Sequence, residues 1–203
     1  MNRIASWWVC LSVLVPAFSG CGRNGTSSGG AGGRKIAMEA GSQETAPTRG
    51  KVRVGDRAPD FALRSQTGQT VSLKDFEGKS AVVLYFYPKD ESPGCTAEAC
   101  AFRDRYEVFK EAGAVVIGVS SDSVDSHKEF ASHHNLPFLL LSDSGGKVRK
   151  RYGVARTLGL MPGRVTYVLD KKGIVRLVFS SQFSPAEHVE EALTILKTIR
   201  DEK

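Results

Sequence analysis

The sequence predicts an α/β domain over residues 51–203, built on a mixed β-sheet with helices on both faces. Two observations lead to this fold class. Between residues 82 and 152, short apolar runs alternate with amphipathic segments, which is typical of buried strands connected by helices. Further along, two apolar runs flank the turn Asp170-Lys171-Lys172-Gly173, which predicts a hairpin, and a helical segment follows. Alternation that ends in a hairpin and a helix favours a sheet with both parallel and antiparallel strands.

The elements can be placed in chain order. Predicted strands lie at residues 61–63, 70–73, 82–87, 114–120, 138–141, 165–169 and 174–179. Predicted helices lie at residues 93–111 and 123–134, in a short segment that ends at Tyr152, and in a final segment that starts at Ser184. The first two strands form an N-terminal β-hairpin around a turn that contains Gly68, and Gly113 ends the first helix. This order of elements is the thioredoxin-like layout.

The first 20 residues are predicted to be a signal peptide. Arg3 precedes an uncharged stretch over residues 4–18, which suits a signal-peptide core and is shorter than the roughly 20 residues of a membrane-spanning helix. The segment Phe18-Ser19-Gly20-Cys21 resembles the lipobox of bacterial lipoproteins. This resemblance implies that Cys21 carries a lipid and that the protein is exported and membrane-anchored, facing the periplasm or the cell exterior. A cleaved signal that leaves a soluble periplasmic protein, and an uncleaved anchor, are the alternatives. Residues 21–50 are rich in glycine and polar residues and predict a flexible linker.

Composition argues against a disulfide scaffold and against nucleic-acid binding. The net charge is +6, but Lys and Arg form no dense block, so solvated surface residues account for it. Four cysteines in 203 residues are too few for a disulfide-stabilised mini-domain. They fall into two pairs, Cys10 and Cys21 near the N-terminus, and Cys95 and Cys100 in the middle of the chain.

The four histidines predict no metal or cofactor site. His133 and His134 are adjacent in a predicted helix, so their side chains are expected to point about 100° apart. No cysteine or carboxylate cluster accompanies them in the sequence. His127 and His188 are expected at the surface.

The segment around Cys95 carries the reactive chemistry. A buried strand leads into a turn-rich stretch, and Ser92 and Pro93 suit the N-cap and the first position of the next helix. Cys95 then falls at the third helical position, where backbone N–H groups and the positive end of the helix dipole favour a thiolate. It also lies seven residues before Phe102, on the face of a predicted apolar stripe. Its sulfur is therefore expected in a recessed pocket.

Cys100 lies five residues after Cys95 on the same predicted helix. Ideal helical geometry places the two Cα atoms about 8.6 Å apart, beyond the usual limit of about 7 Å for a disulfide. A bond between these cysteines would therefore require the first helical turns to unwind. This distance argues against a static disulfide and favours a cycle between a folded reduced state and a locally unfolded oxidised state.

The motif from Tyr87 to Cys100, Tyr-Pro-Lys-Asp-Glu-Ser-Pro-Gly-Cys-Thr-Ala-Glu-Ala-Cys, resembles the active-site signature of the peroxiredoxin Q, or bacterioferritin comigratory protein, subfamily. The resemblance extends from about Val54 to the C-terminus and includes segments 135–138 and 163–170. It implies a thioredoxin-like fold and a role for five residues. These are Cys95 as the peroxidatic cysteine, Cys100 as the resolving cysteine, Pro88 as the residue that shields the pocket, Ser92 as the hydroxyl that holds the peroxide, and Arg164 as the cation that stabilises the thiolate.

The resemblance also implies a function, a thiol-dependent peroxidase that reduces hydrogen peroxide and organic hydroperoxides in antioxidant defence and redox homeostasis. Cys95 would become a sulfenic acid, form a disulfide with Cys100 and be recycled by a thioredoxin-like dithiol. A monomer without a cofactor is expected.

The alternative function is a membrane-tethered thiol–disulfide exchange protein without peroxidase turnover. Exchange proteins usually carry Cys-x-x-Cys, whereas the spacing here is Cys-x4-Cys. An exchange protein would also have no use for Ser92 and Arg164, so the sequence favours the peroxidase.

Overall fold

The computed structural model describes residues 51–157 and 161–201. Its strands are β1 (Ala62–Ser65), β2 (Thr70–Ser72), β3 (Ala81–Phe86), β4 (Ala114–Ser120), β5 (Leu139–Ser142), β6 (Arg156–Thr157), β7 (Met161–Pro162), β8 (Val165–Leu169) and β9 (Val175–Ser180). Its helices are α1 (Pro93–Asp104), α2 (Tyr106–Glu111), α3 (Val124–His133), α4 (Lys147–Arg151) and α5 (Pro185–Asp201). The predicted signal peptide and linker, with Cys10 and Cys21, lie outside the described residues.

A seven-stranded mixed sheet forms the centre of the fold, with the strand order β2-β1-β5-β4-β3-β8-β9. The three central strands, β3, β4 and β5, run parallel to one another. The hairpins β1–β2 and β8–β9 join the two sides of this centre through antiparallel pairs. The predicted mixed sheet and N-terminal hairpin are therefore confirmed. A 3-10 helix over Leu73–Phe76, which follows β2, was not expected from the sequence.

Both faces of the sheet are covered, because β3 is buried on each side. Tyr85 faces a core that includes residues of α1, α3 and α5. Phe86, the next residue, faces a second core that includes Val148 of α4. A strand buried on both faces requires a continuous apolar run, which explains why the sequence predicted β3 so directly.

Gly118 in β4 makes room for the ring of Tyr85. A Cβ atom at position 118 would lie 2.7 Å from the Tyr85 ring and 2.8 Å from Leu140. The Tyr85 ring in turn stacks on Phe102 of α1, with ring centroids 4.7 Å apart. This stack fixes α1 against the sheet and so sets the position of its first turn.

The helix predicted over residues 93–111 is two helices instead of one. α1 ends before Arg105, whose φ of −108° and ψ of 9° are not helical, and α2 begins at the next residue. Phe102 and Phe109 are both fully buried, with ring centroids 5.7 Å apart. Seven residues of unbroken helix would separate them by about 10.5 Å along the axis. With the break between them, the two rings contact each other directly in one core.

A short ribbon of β6 and β7 precedes β8 and was not expected from the sequence. Gly163 follows this ribbon, and a Cβ atom there would lie 2.1 Å from the carbonyl oxygen of Ala155. Only glycine allows this close approach, which leads the chain into Arg164 and β8. Among the described residues, no helix combines the length and the apolar character needed to cross a membrane.

Candidate active site

Cys95 lies in the first turn of α1 and is almost completely buried. Ser92 is the N-cap residue and Pro93 the first helical residue, as predicted. The carbonyl of Ser92 accepts hydrogen bonds from the backbone N–H groups of Cys95 and Thr96, at 3.0 and 2.9 Å. The Cys95 side chain is only 2% exposed and packs in the same core as Phe102. The predicted recessed pocket for the sulfur is therefore present.

Arg164 brings a positive charge to this sulfur from a distant part of the chain. β8 pairs with β3 in a register that sets Val165 opposite Phe86, so Arg164 lies next to the end of β3, where the loop towards α1 begins. Its Nη2 donates to the Cys95 Sγ at 3.4 Å, and the residue is 3% exposed. Arg164, which the family resemblance implied as the cation of the site, therefore places a positive charge beside the sulfur in addition to the helix N-terminus.

Glu98 is a site residue that sequence reasoning missed. Its carboxyl group accepts a hydrogen bond from Nη1 of Arg164, and the residue is fully buried. Burial raises the pKa of Glu98 to about 8, although the charge and hydrogen bond of Arg164 act in the opposite direction. A signal was present, because Glu98 follows Cys95 by three residues and so lies on the same helix face. Arg164 is held between the Cys95 thiol and the Glu98 carboxyl group.

His188 of α5 extends this buried group and was wrongly expected at the surface. Its Nδ1 lies 2.8 Å from Thr166 Oγ1 and 3.6 Å from Glu98 Oε1, and its Nε2 lies 2.8 Å from the carbonyl oxygen of Ser181. Because a carbonyl oxygen can only accept, Nε2 carries the proton and Nδ1 accepts from the Thr166 hydroxyl. Burial lowers the pKa of His188 to about 4, with help from the charge of Arg164. The imidazole is therefore neutral at pH 7.

The loop between β3 and α1 is anchored to α3 through Asp90. The hydroxyl groups of Tyr87 and Ser126 each donate to this carboxylate at 2.7 Å, and Nδ1 of His127 lies 2.8 Å from it. Burial opposes ionisation, but the bonds from His127, Ser126 and Tyr87 outweigh it and lower the pKa of Asp90. His127 is completely buried here, so its predicted surface position is also wrong.

Arg149 connects the segment before β8 with the loop after β3, and it was not identified from the sequence. Its Nη1 donates to the carbonyl of Gly163 at 2.8 Å, and its Nη2 donates to the carbonyl of Tyr87. Burial lowers the pKa of Arg149, and nearby Asp143 acts in the opposite direction. Arg149 thereby links the segment that presents Arg164 to the loop that leads to Cys95.

Four of the five predicted site residues line one open cavity of about 550 Å³. These are Pro88, Ser92, Cys95 and Arg164, with Pro162 and Phe183 among the other lining residues. The Ser92 hydroxyl donates to the carbonyl of Lys89 at 2.9 Å, so it does not cap α1 with its side chain. Its oxygen can still accept a hydrogen bond. Cys100 does not line the cavity, lies partly exposed on α1 and, like Cys95, is a free thiol.

Comparisons with known proteins identify this arrangement. The model of the AhpC/TSA family matches residues 54–178. The chloroplastic peroxiredoxin Q of Sedum lineare is 56% identical over 151 residues, which cover 74% of this chain and 81% of that protein. The chloroplastic peroxiredoxin Q of Arabidopsis thaliana is 60% identical over 148 residues, which cover 72% and 68%. The chain belongs to the peroxiredoxin Q family.

Solved structures agree with this membership. Peroxidoxin BcpB from Mycobacterium tuberculosis is similar with a TM-score of 0.68 at 39% identity, over 73% of this chain and 98% of that chain. The bacterioferritin comigratory protein of Xanthomonas campestris gives a TM-score of 0.64 at 29% identity, over 72% and 96%. The thioredoxin-like fold is confirmed, and the protein is a thiol-dependent peroxidase, an antioxidant oxidoreductase. The alternative of an exchange protein without peroxidase turnover is not supported.

The relatives also correct one prediction. Both peroxiredoxin Q proteins are chloroplastic, which contradicts the expected location of this chain as an exported lipoprotein or a soluble periplasmic protein. The physical reason is that a short apolar stretch behind one positive charge indicates a targeting segment but does not specify the compartment to which it directs the chain. Cys21, the predicted site of lipidation, lies outside the described residues.

Proposed function

We propose that Cys95 is the peroxidatic nucleophile of this peroxidase. The observation that carries the proposal is the contact of 3.4 Å from Arg164 Nη2 to a sulfur that is almost fully buried. A fixed cation at this distance favours the thiolate over the thiol. The thiolate attacks one oxygen of the hydroperoxide, the O–O bond breaks, and the other oxygen leaves as water or an alcohol once it is protonated. Cys95 is thereby oxidised to a sulfenic acid.

Arg164, Ser92 and Pro88 prepare the cavity for this step. Glu98 holds Nη1 of Arg164, so Nη2 already points at the sulfur before the peroxide enters and can stabilise the negative charge that develops on the leaving oxygen. The hydroxyl of Ser92 lines the same cavity, and we assign it the role of holding the peroxide. Pro88 lines the cavity without a backbone N–H of its own, so this wall offers water no donor.

Cys100 is the resolving thiol in this proposal. Its thiolate attacks the sulfenic sulfur of Cys95, a disulfide forms, and hydroxide leaves as water. Both cysteines belong to α1, so the disulfide requires the first turns of the helix to unwind. A thioredoxin-like dithiol then reduces the disulfide, and α1 refolds around two thiols.

The substrates we propose are hydrogen peroxide and small organic hydroperoxides. The cavity is open to solvent and has an apolar side formed by Pro162 and Phe183, and the Phe183 side chain is 85% exposed. An alkyl group attached to the peroxide can pack on this side while the peroxide oxygens meet Cys95. The bacterioferritin comigratory protein of Xanthomonas campestris has alkyl peroxide reduction activity. This activity supports organic hydroperoxides as substrates of the present chain.

Stopped-flow oxidation of the full chain tests the proposal. Hydrogen peroxide is mixed with the reduced wild type, with Cys95→Ser and with Cys100→Ser, and peroxide consumption in the first turnover is measured. Wild type and Cys100→Ser should consume one equivalent rapidly, because both retain the nucleophile. Cys95→Ser should consume none at that rate. Equal consumption by wild type and Cys95→Ser would disprove the assignment.

A further inference from the structure

Two histidines and a glutamate meet beside the active-site loop, although no metal site was expected from the sequence. Glu91 lies directly before the N-cap residue of α1, His133 is the last residue of α3 and His134 is its C-cap. Nδ1 of His133 lies 3.1 Å from one carboxylate oxygen of Glu91, and Nε2 of His134 lies 2.9 Å from the other. One ligand atom from each of the three residues lies within 4.8 Å of the others.

The end of α3 explains why adjacent histidines converge. On a continuing helix their side chains would point about 100° apart, but His134 has φ of −102° and ψ of 7° and leaves the helix. Their ring centroids are consequently 4.7 Å apart, and the planes are inclined by 34°. The ring of Phe130 packs edge-on against His134 at 5.0 Å, and Arg103 donates to the His134 carbonyl at 2.9 Å. This ring is therefore held in place before any ligand arrives.

Glu91 reaches the histidines through an uncommon backbone conformation. Its φ is +56°, in the left-handed region that non-glycine residues rarely adopt. The residue before it, Asp90, is fixed to α3 by Ser126 and His127, and its N–H donates to Asp122 at 2.9 Å. These bonds hold the loop in the conformation that turns the Glu91 carboxylate towards the end of α3.

We propose that Glu91, His133 and His134 bind a divalent transition-metal ion of the Zn²⁺ type, with water completing the coordination. Two imidazole nitrogens and one carboxylate oxygen form a donor set that Zn²⁺ accepts at about 2.0–2.2 Å. Donors at that distance in tetrahedral geometry lie about 3.3 Å apart. Here each histidine nitrogen lies 2.9 or 3.1 Å from one of the two Glu91 oxygens, and one ligand atom from each residue lies within 4.8 Å of the others, so small side-chain rotations bring the three donors to one ion. The nitrogen donors disfavour Ca²⁺ and Mg²⁺, which prefer oxygen ligands.

Such an ion would regulate the peroxidase. This regulatory role rests on the proposed Cys95–Cys100 disulfide. Glu91 adjoins the turn of α1 that must unwind, whereas both histidines belong to the end of α3. An ion shared by the three side chains anchors the start of α1 to α3 and stabilises the folded, reduced site. If unwinding releases the ion, a free concentration 100-fold above its Kd slows disulfide formation by up to about 100-fold. Attack on the peroxide occurs in the folded site and is not slowed.

Binding is tested separately from activity, in the full chain with all four cysteines changed to serine so that no thiol competes for the ion. Titration with Zn²⁺ by calorimetry, and with Co²⁺ by visible absorption, should show one saturable site. His133→Ala and Glu91→Gln should each weaken binding at least tenfold. Glu129→Gln, an exposed carboxylate on α3 outside the cluster, should bind like the parent. The proposed metal site would be disproved if the parent protein showed no saturable binding of Zn²⁺ or Co²⁺. It would also be disproved if neither His133→Ala nor Glu91→Gln weakened the binding.

Regulation is tested in the wild type and in His133→Ala with native cysteines. Sulfenic acid is trapped with dimedone at intervals after one equivalent of peroxide, with and without Zn²⁺. Zinc should prolong the sulfenic acid in the wild type and have no such effect in His133→Ala. The same prolongation in both proteins would locate the effect at the thiols and contradict the regulatory role. If Cys95→Ser still reacts with peroxide, the proposed function fails, but the binding result stands independently.

Discussion

At the scale of single residues, the site depends on how one guanidinium is shared. Arg164 uses Nη1 for Glu98 and Nη2 for Cys95, so its planar fork contacts a carboxyl group and a thiol at the same time. Cys95, Ser92 and Pro88 were recognisable from the sequence because their motif is local. Glu98 and His188 were missed because their burial depends on α1, β8 and α5 meeting in space. The spacing of Glu98 from Cys95 indicates a shared helix face but not the burial of its carboxyl group.

Replacing Arg164 with lysine should remove this double contact. A lysine has a single ammonium group, which cannot reproduce the two parallel contacts of the fork, so the transition state loses a positioned donor. We expect the second-order rate constant for Cys95 oxidation to fall by about 100-fold or more, measured by stopped flow. Arg64→Lys, an exposed arginine on β1, is the matched control and should react at the wild-type rate. An unchanged rate in Arg164→Lys would show that the fork does not contribute.

The buried Glu98 should make stability depend on pH. Its pKa is about 8 in the folded protein and 4.5 in a solvated chain, so between these values the folded state holds a proton that the unfolded state lacks, and stability falls as pH rises. His188, with a pKa of about 4 instead of 6.5, acts in the opposite direction between pH 4 and 6.5. Up to pH 6.5 the effects of Glu98 and His188 on stability offset each other. From pH 6.5 to 8 only Glu98 of these two titrates, so stability falls as the pH rises.

Glu98→Gln should remove that loss, since the amide does not titrate. From pH 6.5 to 8 the wild type should lose about 2 kcal/mol of unfolding free energy relative to Glu98→Gln. Urea denaturation of both proteins across this range measures the difference. Parallel pH profiles for the two proteins would mean that Glu98 is already ionised below pH 6.5.

At the scale of elements, the proposed disulfide requires the first turns of α1, which position Cys95, to unwind in each catalytic cycle. Long apolar runs and turn residues made the strands and most helices predictable, because these patterns reflect burial on a whole face. The break at Arg105 was not predictable, since Phe102 and Phe109 are seven residues apart and fit one face of a continuous helix equally well. The ribbon of β6 and β7 was missed because strands of two residues leave no periodic pattern.

Cys100→Ser tests whether Cys100 on α1 resolves the sulfenic acid of Cys95. Without the second thiol the sulfenic acid at Cys95 has no partner on the helix, so it should accumulate and then be oxidised further to the sulfinic acid. Intact-mass spectrometry after excess peroxide should show a gain of two oxygen atoms in Cys100→Ser and a loss of two hydrogen atoms in the wild type. Sustained turnover of Cys100→Ser with a dithiol reductant would show that Cys100 is not needed for resolution.

At the scale of the whole molecule, the sheet assembles the site from separate parts of the chain. Cys95 and Arg164 are 69 residues apart in sequence, and the pairing of β8 with β3 brings them together. The sequence predicted a mixed sheet, but the strand register that sets Arg164 beside Cys95 follows from packing on both faces. The tight contact between Gly118 of β4 and the Tyr85 ring of β3 is part of this packing.

Gly118→Ala should therefore destabilise the whole domain. The added Cβ would lie 2.7 Å from the Tyr85 ring, and such overpacking typically costs about 1–3 kcal/mol. Gly145→Ala is the control, because the nearest atom to its added Cβ lies 3.7 Å away on a flexible lysine. Denaturant unfolding should show the loss for Gly118→Ala alone. Equal stability of the two variants would show that the core accommodates the methyl group.

Peptide mapping tests the central claim, the chemistry of Cys95 and Cys100, most directly. Trypsin cleaves after Lys89 and Arg103, so one peptide over residues 90–103 contains both cysteines. After one equivalent of hydrogen peroxide and blocking of free thiols, this peptide should be two hydrogen atoms lighter than its unmodified mass and carry no blocking group. Recovery of the peptide with both cysteines blocked, while peroxide has been consumed, would contradict a Cys95–Cys100 disulfide and with it the proposed catalytic cycle.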